Sequence, residues 1–156
     1  MKDSFFCPEM RGCVEPNLRM ARWLSVLLAK EVDGISSLLY QSLRVEEEDP
    51  SLSRCFDDAA RGSLVQLRLA IRLYLALGGE MRWRFSQRWT GRGCCEADES
   101  PAALLAASVE SLEALADEYR SLATRCHGGM ESAVLECLEE GKRALSAFLQ
   151  SAGEAN

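Results

Sequence analysis

Twice in this chain a helix-capping side chain stands directly before a proline, at Asp49-Pro50 and at Ser100-Pro101. The capping oxygen takes a free amide of the first turn. Proline is at home in the next position, where its missing N–H would have had no partner anyway. Gly-Gly pairs at Gly78-Gly79 and Gly128-Gly129 each follow a helical pattern, and glycine accepts the left-handed conformation that ends a helix. With Pro16 as a further first-turn proline, these marks predict helices near residues 17–47, 50–78, 101–126 and 130–151. The acidic run Glu46 to Glu48 closes the first of them.

Three- and four-residue spacing supplies one core stripe to each segment. The first reads Leu24, Leu28, Glu31, Ile35, Leu38 and Ser42, with Glu31 as its polar exception. The second reads Phe56, Ala60, Ser63, Leu67, Ala70, Tyr74 and Leu77, and the third Leu105, Ser108, Leu112, Leu115, Tyr119, Leu122 and Cys126. The fourth reads Val134, Cys137 or Leu138, Gly141, Leu145 and Phe148. Residues 1–15 read as an irregular arm, 80–99 as a crossover and 153–156 as a frayed tail of one helical-bundle domain spanning 1–156.

Connection lengths set the expected topology. Short turns make helices one and two antiparallel, and helices three and four likewise. The crossover of about 20 residues can extend to roughly 66 Å, against roughly 38 Å for a helix of about 25 residues. It can therefore run the length of the bundle and join two antiparallel helical hairpins.

Chemical composition narrows the function classes. No apolar run approaches the roughly 18 residues of a membrane span. Met1 to Phe6 carries Lys2 and Asp3 without a long apolar region, so a cytoplasmic location is expected. Net charge is −6. Met1 to Cys95 carries 14 basic and 12 acidic residues, and Glu96 to Asn156 carries 4 and 12. That acidic half weighs against general nucleic-acid binding. Seven cysteines are an odd number for a disulfide framework, so reduced thiols are expected. Cys55, Cys126 and Cys137 read as small core fillers and Cys94 and Cys95 as reactive loop thiols. His127 is the sole histidine. It leaves zinc short of ligands, and no second histidine can serve a Ser or Cys nucleophile.

Glu31-Val-Asp-Gly-Ile-Ser-Ser-Leu-Leu-Tyr-Gln41 is similar to the E-x-x-A-I-x-x-Y-x-Y-Q pattern of the ferritin-like family, with Tyr40 and Gln41 matching outright. Leu77-Gly78-Gly79 resembles the L-G-G that ends the family's second helix, eleven residues after its E-x-x-H. Counting back places Ser63 and Gln66 at that glutamate and histidine. Tyr119 takes the tyrosine of the third helix, which puts Leu112 at its glutamate. In helix four the core stripe puts Gly141 and Ala144 at the second E-x-x-H, and a one-residue shift gives Glu140 and Arg143. The resemblance implies an all-α, ferritin-like four-helix bundle from about Trp23 to Leu149. The family's di-iron centre takes four glutamates and two histidines from the helices. Only Glu31 matches, so the resemblance implies no metal centre, no cofactor and no catalytic residue.

Local readings stay open beside it. Glu31 is a metal-site remnant, a buried acid paired with Gln66 or another neighbour, or a solvated helix edge. Tyr40, Tyr74 and Tyr119 read as core aromatics with satisfied hydroxyls, and His127 as a helix C-terminal residue. In the crossover, Arg82, Trp83, Arg84, Phe85, Arg88, Trp89 and Arg92 interleave basic and aromatic groups. They can pair with the acidic half, present a protein interface or stack bases.

The expected function is therefore a non-catalytic bundle acting through self-association, as a homodimer, or through a protein partner. A wide apolar circumference favours the dimer: Trp23, Leu24, Val26, Leu27, Leu28, Val32, Ile35, Leu38 and Leu39 on helix one, and Leu64, Val65, Leu67, Leu69, Ile71, Leu73 and Leu75 on helix two. Phe5, Phe6 or the crossover tryptophans could instead cover that surface within one chain. The alternatives are a metal- or redox-active protein using Glu31 and the cysteines, and a nucleic-acid module using the crossover.

Overall fold

Asp49 and Ser100 both cap helices. The Asp49 carboxylate accepts the Leu52 N–H at 2.9 Å and the Ser100 hydroxyl accepts the Ala103 N–H at 3.2 Å, each satisfying a first-turn amide. A computed structural model describes residues 10–80, 100–126 and 128–154, with the backbone alone for 10–16. Its four helices are α1 (Met10–Val45), α2 (Pro50–Ala76), α3 (Pro101–Ala123) and α4 (Met130–Glu154). Among the described residues there is no β-strand. The described residues thus form an all-α, four-helix bundle. None of these helices is long and apolar enough to cross a membrane.

The helix ends follow local chemistry. Gly78 takes φ 82°, and the Gly79 N–H reaches back to the Tyr74 carbonyl at 2.9 Å, closing α2 with the wrapped turn that a left-handed glycine permits. The start of α1 differs from the sequence reading. The helix begins at Met10, not near residue 17, so Pro16 lies inside it and residues 10–15 are not an irregular arm. Proline within a helix forfeits one backbone hydrogen bond, and α1 runs through Pro16 without a break.

Each helix buries one stripe. Towards one end, Ala21, Leu24, Leu27 and Leu28 of α1 meet Leu67, Ala70, Leu73 and Leu77 at the α2 end, with Leu115, Tyr119, Leu122, Leu135 and Leu138 from α3 and α4. Towards the other, Leu38 and Val45 meet Leu52, Phe56, Ala59 and Ala60, with Leu112 and Leu149. α1 packs mainly on α2 and α3 mainly on α4, while α1 and α3 form the more open of the two cross-contacts.

One stripe requires correction. The buried residues of α4 are Leu135, Leu138, Glu139, Lys142, Ser146 and Leu149, one position round from the expected Val134, Gly141, Leu145 and Phe148. Cys137 is exposed and Phe148 is 40% exposed. The expected stripe left out Lys142, which the bundle buries. Cys55 and Cys126 are half-buried. Tyr40 is 48% exposed and is no core aromatic. Tyr74 is half-buried and donates its hydroxyl to the Glu80 carbonyl at 3.0 Å. His127 lies outside the described residues.

Candidate functional site

Between the two apolar clusters lies a level of the core built from polar side chains. On α1 it falls between Leu28 and Leu38, on α2 between Ala60 and Leu67, and on α4 between Leu138 and Leu149. At this level Lys142 Nζ contacts Glu31 Oε2 at 2.5 Å, with both side chains only 1% exposed. The Tyr119 hydroxyl donates to Glu31 Oε1 at 2.9 Å, and the Lys142 ammonium also donates to Ser63 Oγ at 3.4 Å. All four helices contribute one residue each. A lone buried charge would be very unfavourable, but here each carboxylate oxygen has a donor and the ammonium has two acceptors.

Electrostatics follow from that geometry. Burial lowers the pKa of the Lys142 amine, with the Glu31 charge offsetting part of the effect. Burial raises the pKa of the Tyr119 phenol, and the neighbouring Glu31 charge raises it further. Burial also holds the thiols of Cys55 and Cys126 above their usual range, with acidic neighbours adding to it.

A second polar layer borders the first. The Ser108 hydroxyl makes a short hydrogen bond to Gln41 Oε1, and Gln41 donates to Ser37 Oγ at 3.3 Å. Nearby, the Ser42 and Ser53 hydroxyls pair at 3.0 Å. A cavity of about 100 Å³ separates Gln41 and Ser108 from Glu31, Ser63 and Lys142, with Gly34, Ser37 and Ser111 also in its lining. It shares Gly34, Ser37 and Ser111 with an open groove of about 340 Å³ between α1 and α3. The groove is bordered by Lys30 and Glu118, an ion pair at 2.6 Å with side chains 50% and 39% exposed.

Of the positions aligned with the family's metal ligands, Glu31 and Ser63 come together, and Leu112 is buried nearby in the cavity lining. Gln66 does not pair with Glu31. Its Oε1 is buried without a hydrogen-bond partner, and its amide lies against Gly141, where an added Cβ would come within 2.5 Å of Nε2. A side chain at position 141 would push the end of the Gln66 side chain aside. Ala144 faces solvent. Glu140, from the alternative register, is also exposed, and Arg143 sits at the rim, 2.7 Å from Asp117. The interaction candidates Arg82, Trp83, Arg84, Arg88 and Trp89, and the thiols Cys94 and Cys95, lie outside the described residues.

These side chains do not fit a di-iron centre. Glu31 is one carboxylate, Ser63 a neutral hydroxyl and Leu112 an alkyl chain, while a metal cation here would meet the Lys142 ammonium. Among the described residues, no three His, Cys, Asp or Glu side chains converge on a metal-holding group. Lys142 was missed because a lysine reads as solvated. Its place four residues after Leu138 and seven before Leu149 was the available signal.

Fold and site together define a class: an all-α four-helix bundle with a buried, neutralised ion pair at mid-height. No protein-family model, curated protein or solved structure matches the chain.

Proposed function

We propose that the chain is a non-catalytic, ferritin-like bundle of two antiparallel hairpins joined by residues 80–99. In this reading it is a cytoplasmic protein acting through self-association, most simply as a two-fold homodimer, or through a protein partner. The observation carrying it is the Lys142 ammonium held by Glu31 and Ser63. On the register the resemblance implies, a cation of the chain itself takes the level of the metal ligands, which supports a bundle that does without them. Self-association is supported by apolar side chains that the bundle leaves outward. These are Val26, Leu39, Tyr40 and Leu43 on α1, and Leu64, Val65 and Leu75 on α2, with Leu43 and Val65 about 70% and 68% exposed. One buried stripe per helix accounts for the core, and a wider apolar circumference calls for a second contact.

Light scattering of the reduced protein at micromolar concentration tests association. The expected mass is twice the 17.3 kDa of one chain, and a mass of one chain that is unchanged on concentration refutes the dimer. Elemental analysis after iron-supplemented expression tests the other half. About two iron or manganese ions per chain, the stoichiometry of a di-metal site, would refute the metal-free centre.

A further inference from the structure

Lys142 is one of three lysines in the chain, with Lys2 and Lys30, and it lines a partly open cavity in the core. Four features coincide there. The amine is desolvated by the core. A carboxylate able to take its proton lies at 2.5 Å. Beyond it is a space of about 100 Å³ edged by Ser37, Gln41, Ser108 and Ser111. A groove between α1 and α3 meets that space at Gly34, Ser37 and Ser111, and an added Cβ at Gly34 would meet nothing within 4 Å.

We propose that this cavity is a binding site for a small carbonyl compound, an aldehyde or ketone of a few non-hydrogen atoms, held as an imine on Lys142. An engineered apolar cavity of about 150 Å³ admits benzene, so this smaller, polar-edged space suits a smaller and more polar guest. The inference is independent of the oligomeric reading above.

The step balances within the residues present. Glu31 takes one proton from the Lys142 ammonium, leaving a free amine beside a neutral acid. The amine nitrogen attacks the carbonyl carbon, forming a C–N bond while the carbonyl π pair moves to oxygen. Two protons from nitrogen pass to that oxygen, the C–O bond breaks and one water leaves. Glu31 then returns its proton to the imine nitrogen. The product is an iminium cation against the Glu31 carboxylate, so the ion pair given up in the first step is restored in the last. No oxidant or reductant takes part. A desolvated lysine is the form of this residue that acts as a nucleophile towards carbonyls. Ser108, Ser111 and Gln41 can offer hydrogen bonds to the guest's polar atoms.

The test is reductive trapping of the full-length protein with acetaldehyde and cyanoborohydride at pH 8, mapped by peptide mass spectrometry, with benzaldehyde as an oversized probe. Lys142 is expected to take acetaldehyde on the order of tenfold faster than Lys30, and to refuse benzaldehyde while Lys30 accepts both. Gly34→Leu, placed where α1 borders cavity and groove, is expected to suppress the Lys142 adduct with unchanged helical circular dichroism. Should that variant fail to fold, the wild-type comparison between native and urea-unfolded protein still decides. A Lys142 that labels only when unfolded, or no faster than Lys30, overturns the proposal, as does equal labelling by the two aldehydes.

Discussion

Lys30 and Glu31 are neighbours in α1, and each forms an ion pair with another helix. Lys30 meets Glu118 of α3 at 2.6 Å in half-exposed surroundings. Glu31 meets Lys142 of α4 at 2.5 Å in the core. The bond lengths are nearly equal, yet the two pairs have different consequences. Water competes for the first pair and screens it, so forming it changes little. The second has given up its hydration, and each member depends on the other being there.

The largest effect is expected from breaking the inner pair on one side. Lys142→Met leaves Glu31 buried without its cation and should destabilise the fold by about 3–5 kcal/mol in urea denaturation. The double variant Glu31→Leu/Lys142→Met removes both charges and fills the space with alkyl chains. It should recover about 2 kcal/mol or more of that loss, because a well-packed apolar substitute can match a buried pair. A double variant no better than the single one would mean that the pair contributes through more than mutual neutralisation.

Tyr119→Phe sharpens the contrast by removing a single hydrogen bond to the inner carboxylate, at an expected loss of about 1.5–3 kcal/mol. It should also change the pH profile. The phenol's ordinary pKa is 10.0, and burial, then Glu31, raise it in the folded protein. The folded state therefore keeps this proton after the unfolded chain has released it. The contribution to stability is full below about pH 10 and declines as pH rises beyond it. Thermal melts between pH 9 and 11 should show a shallower decline for Tyr119→Phe than for wild type.

The same contrast explains what the sequence revealed. Asp49, Ser100 and the Gly-Gly stops act within a few residues of themselves, so their chemistry is local and the helices could be placed from it. Glu31 stood out as the one charge on an apolar stripe. Lys142 did not, because lysine most often lies at the surface and the misplaced α4 stripe gave no reason to turn it inward. The pairing joins residues 111 positions apart, and nothing local in either segment announces the other. Matching the lone acid of one stripe to an opposite charge falling in another stripe's spacing would have found it. Gln66 was one expected partner for Glu31, but its amide lies against Gly141 instead.

Gly34 tests the opening between the two pairs, since it borders both cavity and groove. Glycine inside a helix is less favourable than alanine by about 0.5–1 kcal/mol. With no atom within 4 Å of an added Cβ, Gly34→Ala should raise stability by about that amount. A loss of stability instead would show that α1 and α3 approach each other more closely at this position.

The smallest effect is expected at the outer pair. Lys30 reaches Glu118 with both carboxylate oxygens in range, at 2.6 and 2.8 Å, so short distances alone would suggest a strong interaction. Exposure decides otherwise: holding two long side chains in one arrangement opposes the attraction, and salt reduces it further. Lys30→Met should therefore change unfolding free energy by no more than about 0.5 kcal/mol, and raising ionic strength towards 1 M should shrink even that difference. Lys142→Met should keep most of its effect in the same salt series, because a core only 1% exposed admits few counterions. If the Lys30 variant lost as much stability as the Lys142 variant, or if salt erased both losses equally, burial would not be what separates these neighbouring pairs. The α1–α3 contact would then be as essential to the bundle as its centre.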